Sequence, residues 1–304
     1  MKKVLIGGGK GLVGSRLTDI LMDHGYEVWH LSRTSDPDNW IRTIKWDIEN
    51  KILDPKEIEG VDIIINLAGA HVADKKWTAE RKQQIRDSRV NSTMLLRDVI
   101  RQLDKKPEKY ISASAIGYYG AVTVDKSFTE EDEAGTDFLA KACIDWENSV
   151  REIELLEIPT AIARIGLVLA DEGGMLAEVE QAVRWGVGAP FGKGNQIMPW
   201  IHIDDLCGIF FHLINQKLTG VYNSVSPNPA SNKDFTYLLA KVLGKSILMP
   251  GIPPFILKII LGERSDLVLK GSRISAEKIQ SAGFKFQHQD LEGAFRDLYF
   301  LEDQ

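Results

Sequence analysis

Residues 3–17, KVLIGGGKGLVGSRL, run from a short aliphatic strand through a glycine-rich turn into an amphipathic segment. Gly8, Gly11 and Gly14 stand where such a turn needs a positive φ, a backbone that approaches a pyrophosphate, and close helix-on-strand packing. The helix that follows leaves its first N–H groups free for an anion. Gly8, Lys10, Gly11, Leu12, Val13 and Gly14 are therefore expected to form a dinucleotide-phosphate loop. A merely tight turn does not explain three glycines at this spacing.

Working outward, YEVWHLSR, VDIIINLAG, KYISASA and TAIARIGLVLA alternate with longer amphipathic segments such as GSRLTDILMDHG. Strands alternating with helices predict an α/β fold, a Rossmann-type doubly wound parallel sheet with helices on both faces. Continuous apolar runs such as DIIINLA suit strands buried on both sides. Near residue 171 the composition shifts: DEGGML and GAPFGKGNQIMP are rich in glycine, and residues 226–254 are rich in Pro, Ser and Asn. Strand-like PWIHID and VYNSVS lie between and are expected to re-enter the sheet. The expected organisation is a Rossmann domain over 1–170, its sheet completed by about 200–225. A smaller, discontinuous C-terminal substrate domain is expected from 171–199 and 226–304.

At the end of the second strand, WHLSRT carries no acid to hydrogen-bond a ribose 2′-OH. Ser32, Arg33 and Thr34 offer a cation and two hydroxyls, which suit a 2′-phosphate, so NADP(H) is expected over NAD(H).

The 304 residues carry a formal charge of −6, which argues against a nucleic-acid partner. The two cysteines, Cys143 and Cys207, show no metal-ligand or redox spacing and read as buried free thiols of a reducing compartment. The apolar VLI near the start is too brief for a signal-peptide core, and PPFILKIILG, interrupted by Lys258, is too short to span a bilayer. A cytoplasmic protein with a small-molecule substrate and no membrane partner is expected, as a monomer or homodimer.

The glycine spacing, NLAG at 66–69 and SASAIGY at 112–118 resemble extended short-chain dehydrogenases/reductases, the group that contains sugar-nucleotide epimerases. The longer runs NLAGAHVADKKWTAERKQQIRDSRVNST, SAIGYYG, DFLAKACIDWE, PWIHIDDL and AGFKF are similar to one atypical branch, the YfcH-like "epimerase family" proteins, over nearly the whole chain. This resemblance implies a Rossmann domain with a small C-terminal substrate domain. It implies Ser32 and Arg33 at the ribose end of the cofactor, Asp47 as an adenine-side acid, and Leu67, Ala68 and Gly69 under the nicotinamide half. Ser114 matches the catalytic serine.

The chain departs from that pattern where the proton should come from. Extended members carry Tyr-x-x-x-Lys on a helix, with a glutamate four residues after the lysine. Anchoring on Glu147 puts Leu139 and Cys143 at the two positions; anchoring on Lys141 puts Asp137 at the tyrosine. Neither register restores the pair, in which the lysine lowers the phenol pKa and holds the ribose. Tyr118 and Tyr119, four and five residues after Ser114, are the candidate substitutes, with loop packing as the alternative fate for both rings.

Arg89 stands where the parent group has asparagine, and its guanidinium suits a substrate carboxylate or phosphate. Trp77 and Arg81, near the same helix start, are expected to bind the substrate with Arg89, and positions 82, 86 and 89 share a face, either a solvated basic stripe or the wall of an anionic-substrate site. His202 with Asp204 and Asp205 lacks a second histidine at ligand spacing, so a structural role is expected and no metal. Two functions fit these residues. One is an NADP(H)-dependent, epimerase-like oxidoreductase for a small, carbonyl or sugar-like, optionally anionic substrate. The other is a catalytically inactive NADPH-binding regulatory or scaffold protein.

Overall fold

The computed structural model of the chain describes residues 1–34, 40–171 and 173–300. Seven strands form the central sheet: β1 (Lys3–Gly7), β2 (Glu27–Ser32), β3 (Arg42–Lys45), β4 (Ile63–Asn66), β5 (Lys109–Ala115), β6 (Thr160–Ile165) and β7 (Gly220–Ser224). They lie in the order β7-β6-β5-β4-β1-β2-β3, every pair parallel. β1 is hydrogen-bonded to both β2 and β4, so the strand order reverses there and a crevice opens beyond its C-terminal end.

The long helices are α1 (Leu12–Asp23), α2 (Ala79–Ile100), α3 (Phe138–Glu154), α4 (Gly174–Arg184), α5 (Ile203–Asn215), α6 (Asn232–Val242), α7 (Pro254–Leu261) and α8 (Leu291–Phe300). Successive residues of β1 point to opposite faces. Val4 and Ile6 join a core with Leu17 and Leu21 of α1 and Leu206 and Phe210 of α5; Leu5 joins Leu96 and Val99 of α2 and Trp146 and Val150 of α3. That two-sided burial is what the unbroken apolar runs call for. A third core gathers Leu176 and Val183 of α4, Trp200, Phe235 and Leu239 of α6, and Leu291 and Phe295 of α8.

Three details differ from the sequence expectation. TAIARIGLVLA is two strands, because Gly166 presses on the Pro199 carbonyl so closely that an added Cβ would lie 2.4 Å from that oxygen. The chain breaks there, and Leu167–Leu169 pairs outside the main sheet. Trp200–His202 is its partner, so of the two later strand-like runs only VYNSVS joins the seven strands. The short edge strand β3 lacks a strong apolar pattern, since of its four residues only Ile44 is buried. Cys143 and Cys207 are free and buried. Among the described residues no helix is long and apolar enough to cross a membrane.

Candidate active site

The crevice is lined first by backbone. Gly8 adopts φ 81°, a conformation that L side chains rarely take, and a Cβ on it would meet the Leu67–Ala68 peptide at 3.1 Å. A Cβ on Gly14 would lie 2.4 Å from the Gly8 carbonyl oxygen, so strand and helix touch there through backbone alone. Gly11 caps α1 without any side-chain hydrogen bond, which leaves the first-turn N–H groups of Leu12, Val13 and Gly14 open. A cradle with no side chains and an uncapped positive helix end fits a pyrophosphate.

Under this loop His30 lies so close to Gly9 that a Cβ there would sit 2.3 Å from the ring. Thr18 donates to the Gly14 carbonyl and meets His30 Nε2 at 2.8 Å. The one hydroxyl hydrogen is therefore spent, and His30 must donate. Burial and the nearby Lys10 cation hold the imidazole below its ordinary range.

The register Gly7↔Leu31 sets Ser32, Arg33 and Thr34 beside the turn, with Arg33 and Thr34 exposed. The Thr34 N–H donates to Ser32 Oγ at 3.3 Å. Residues 35–39, which follow, lie outside the described residues. Asp47 stands just beyond β3, where the Asn50 side chain and backbone N–H donate to its carboxylate and hold it below the usual range. Leu67 is hydrogen-bonded to the Gly7 carbonyl, so Leu67, Ala68 and Gly69 form the second lip of the crevice.

The reaction end is built from side chains. Ser114, near the end of β5, donates to Glu147 Oε1 at 2.7 Å. Arg164 of β6 grips both Glu147 oxygens at 2.8 Å and donates to the Tyr119 hydroxyl at 3.0 Å. Tyr119 in turn donates to Asn223 Oδ1 at 2.7 Å, and the Asn223 N–H reaches Glu130. Ser114, Tyr119, Glu147 and Arg164 are each no more than 4% exposed. Burial works against the Arg164 cation, but Glu147 outweighs it and holds the guanidinium above its ordinary range. Burial pushes the Tyr119 phenol up to about 12 despite Arg164. Its hydroxyl is committed on both sides, which narrows the proton-donor expectation to Tyr118. The Tyr118 ring lies against Arg164, with Cζ 3.4 Å from the ring centroid, and among the described residues no hydrogen bond reaches its hydroxyl.

The geometry also decides the register of α3. Cys143 Sγ lies 3.7 Å from the Ala115 carbonyl, and a Cβ on Gly117 would meet Leu139 at 3.4 Å. Leu139, Cys143 and Glu147 thus face the Ser114 turn, while Lys141 is exposed. Burial and Glu147 push the Cys143 thiol up to about 12. Asp137 is the N-cap of α3, accepting from Ala140 at 2.9 Å and from the Ala121 N–H at 2.6 Å.

Most of the basic stripe is spent on partners. Arg81 donates to Asp74, Gln84 and the His71 carbonyl and so braces the start of α2. Lys82 pairs with Glu263, and Arg86 with Asp87 and Asp145. Arg89 has no carboxylate partner among the described residues: it donates to the Ile85 carbonyl at 2.7 Å and lies 5.1 Å from the Trp146 ring. A Cβ on Gly69 would sit 3.0 Å from its guanidinium carbon, and burial lowers its pKa. Trp77 donates to the Val72 carbonyl at 2.8 Å and meets the Phe138 ring edge-on at 5.2 Å.

His202, Asp204, His288 and Asp297 bring ligand-type atoms within 4.8 Å of one another. His202 caps α5 by accepting the Asp204 N–H on Nδ1 at 3.2 Å. The neutral ring therefore carries its hydrogen on Nε2, facing Asp297 at 3.3 Å, where a metal would need a lone pair. Arg16 holds both Asp204 oxygens, at 2.6 and 3.0 Å. Burial and His288 bring the His202 pKa down to about 4.

Sequence reasoning passed over Arg164 and Asn223 and used Glu147 only to set a register. The signal was present, because an arginine inside the apolar run TAIARIG implies a buried acidic partner.

A profile of the NAD dependent epimerase/dehydratase family matches residues 4–224, and one described as a domain of unknown function matches 252–298. The chain is 33% identical to the epimerase family protein Mb2239 of Mycobacterium bovis over 290 residues, 95% of this chain and 94% of that protein. Its structure is similar to that of the human epimerase family protein SDR39U1 (isoform 2) with NADPH, with a TM-score of 0.87, 26% identity, and 99% and 100% of the two chains covered. The UDP-glucose 4-epimerase of Thermotoga maritima, solved with UDP-glucose, shares the fold at a TM-score of 0.78 and 17% identity, covering 97% of each chain. The chain is thus a member of the NAD-dependent epimerase/dehydratase family.

Proposed function

We propose that this chain is an NADP(H)-dependent, epimerase-like oxidoreductase that acts on a small carbonyl or sugar-like substrate without a tyrosine–lysine pair. The observation that carries the reading is Tyr118: it stands on the turn that follows Ser114, and its hydroxyl is the one phenol there left uncommitted among the described residues. When bound, the dinucleotide supplies or accepts a hydride. The N–H groups of Leu12, Val13 and Gly14 hold the pyrophosphate, while Ser32, Arg33 and Thr34 take the 2′-phosphate and Asp47 the adenine side. Leu67, Ala68 and Gly69 support the nicotinamide half. Tyr118 exchanges the proton with the substrate oxygen. Ser114 gives its hydrogen to Glu147, so it presents lone pairs and orients the substrate by accepting from a hydroxyl. Arg89 offers its remaining N–H groups to an anionic group at the Gly69 lip. The proposed setting is the cytoplasm, with the protein a monomer or homodimer.

The test is NADPH oxidation by the purified protein with pooled carbonyl metabolites, beside Tyr118→Phe, Ser114→Ala and Arg33→Ala. Tyr118→Phe is expected to lower turnover about 100-fold or more with NADPH affinity unchanged. Arg33→Ala should weaken NADPH about tenfold and leave NADH unaffected. Full turnover by Tyr118→Phe would remove the proposed proton path. A second reading, a binding protein without catalysis, is favoured by the Ser114 hydroxyl being held by Glu147. Tight NADPH binding with no turnover across the pool supports that reading.

A further inference from the structure

Beside the Ser114 turn lies a cavity of about 470 Å³, within the range of small-molecule sites. Trp77 and Phe138 line it as an edge-on pair, and Leu267 lines it from the cap segment. Ala121, two residues after the turn that carries Tyr118, also lines it, and Leu139 stands between it and Gly117, so the cavity borders that turn. Its cap-side wall, residues 262–267, is strapped to the Rossmann side by the Lys82–Glu263 ion pair and by Arg264, which donates to the Ala73 carbonyl.

The charges around this space are wrong for a diphosphate. Three carboxylates line it, Asp137, Glu263 and Asp266, against one cation, Lys258. The nearby cations Lys82 and Lys270 are already paired, with Glu263 and Asp266. The two helix N-termini at its edge are also taken: Asp137 caps α3 and Thr78 caps α2. A diphosphate moved here would lose water and gain neither a free helix end nor a pair of cations. Aromatic and aliphatic walls instead favour an apolar guest, which gains by leaving water.

We propose that this cavity receives the reacting substrate, and that the part filling it is an uncharged, largely apolar, aromatic carbonyl compound rather than a nucleotide diphosphate. The proposal rests on the oxidoreductase reading above. It separates this chain from the UDP-glucose 4-epimerase whose fold it shares. Arg89 does not line the cavity, so an anionic group held there would lie outside it.

The test uses the full chain loaded with NADP⁺, after a titration establishes that the cofactor binds. Saturation-transfer NMR follows 2-acetylnaphthalene, an uncharged aromatic ketone, with UDP-glucose as competitor. The ketone is expected to bind, and UDP-glucose to leave its signal unchanged. Trp77→Ala should weaken the ketone about tenfold. Leu267→Trp, which fills the cavity from the cap side, should abolish its signal, and both variants should keep NADP⁺ affinity. Displacement by UDP-glucose, absence of ketone binding, or ketone binding indifferent to both substitutions overturns the proposal. Failure of the initial cofactor titration instead removes the oxidoreductase reading on which it stands, so the two failures are distinguishable.

Discussion

The two ends of the crevice are made from different material. At β1 the cradle is backbone: Gly8, Gly11 and Gly14 clear the space and an uncapped helix end supplies the donors. At β5 the site is side chain throughout, with Ser114, Glu147, Arg164, Tyr119 and Asn223 joined in one buried network. A backbone cradle tolerates any sequence that keeps its glycines, and it suits a ligand part that never changes, the pyrophosphate. A side-chain network must be exchanged as a unit, because each member is buried and depends on another for a hydrogen bond.

The sharpest way to break this contrast is Arg164→Ala. It leaves the Glu147 carboxylate buried and uncompensated, so urea unfolding should show a loss of about 3–5 kcal/mol. A loss below about 1 kcal/mol would mean that the network is open to water and that the contrast is false. At the other end, Gly14→Ala forces a methyl against the Gly8 carbonyl, an overpacking cost of about 1–3 kcal/mol. The expected result is NADPH affinity weakened by tenfold or more, read by titration. The smallest effect is expected at Lys141→Ala, an exposed position that faces away from the Ser114 turn. Stability should move by no more than about 0.5 kcal/mol, with turnover intact. Loss of activity there with unchanged folding would reverse the register of α3.

The same contrast explains what could be read from the sequence. The cradle is local, its strand, turn and helix lying within residues 3–23, so glycine spacing and apolar periodicity expose it directly. The side-chain network draws on residues 114, 119, 147, 164 and 223, and no spacing rule connects them. Which of two phenols stays free depended on Asn223 lying across from Tyr119, a contact set by the pairing of β7 with β6. The partners of Lys82 and Arg86 were likewise hidden, because Glu263 and Asp145 arrive from distant segments. The edge strand β3 was missed for the opposite reason: half exposed, it has no need of the apolar pattern that marks its neighbours.

The place of β7 in the chain has a consequence for synthesis. β6 ends at Ile165, while the strand that covers its outer edge begins only at Gly220, after α4 and α5 have been made. At about 5–20 residues per second, translation leaves that edge unpaired for roughly 3–11 s. Its residues 160–164 are all buried in the finished protein, so the nascent chain displays a sticky, hydrogen-bond-hungry rim during that interval. A slow codon between residues 165 and 220 would lengthen that interval.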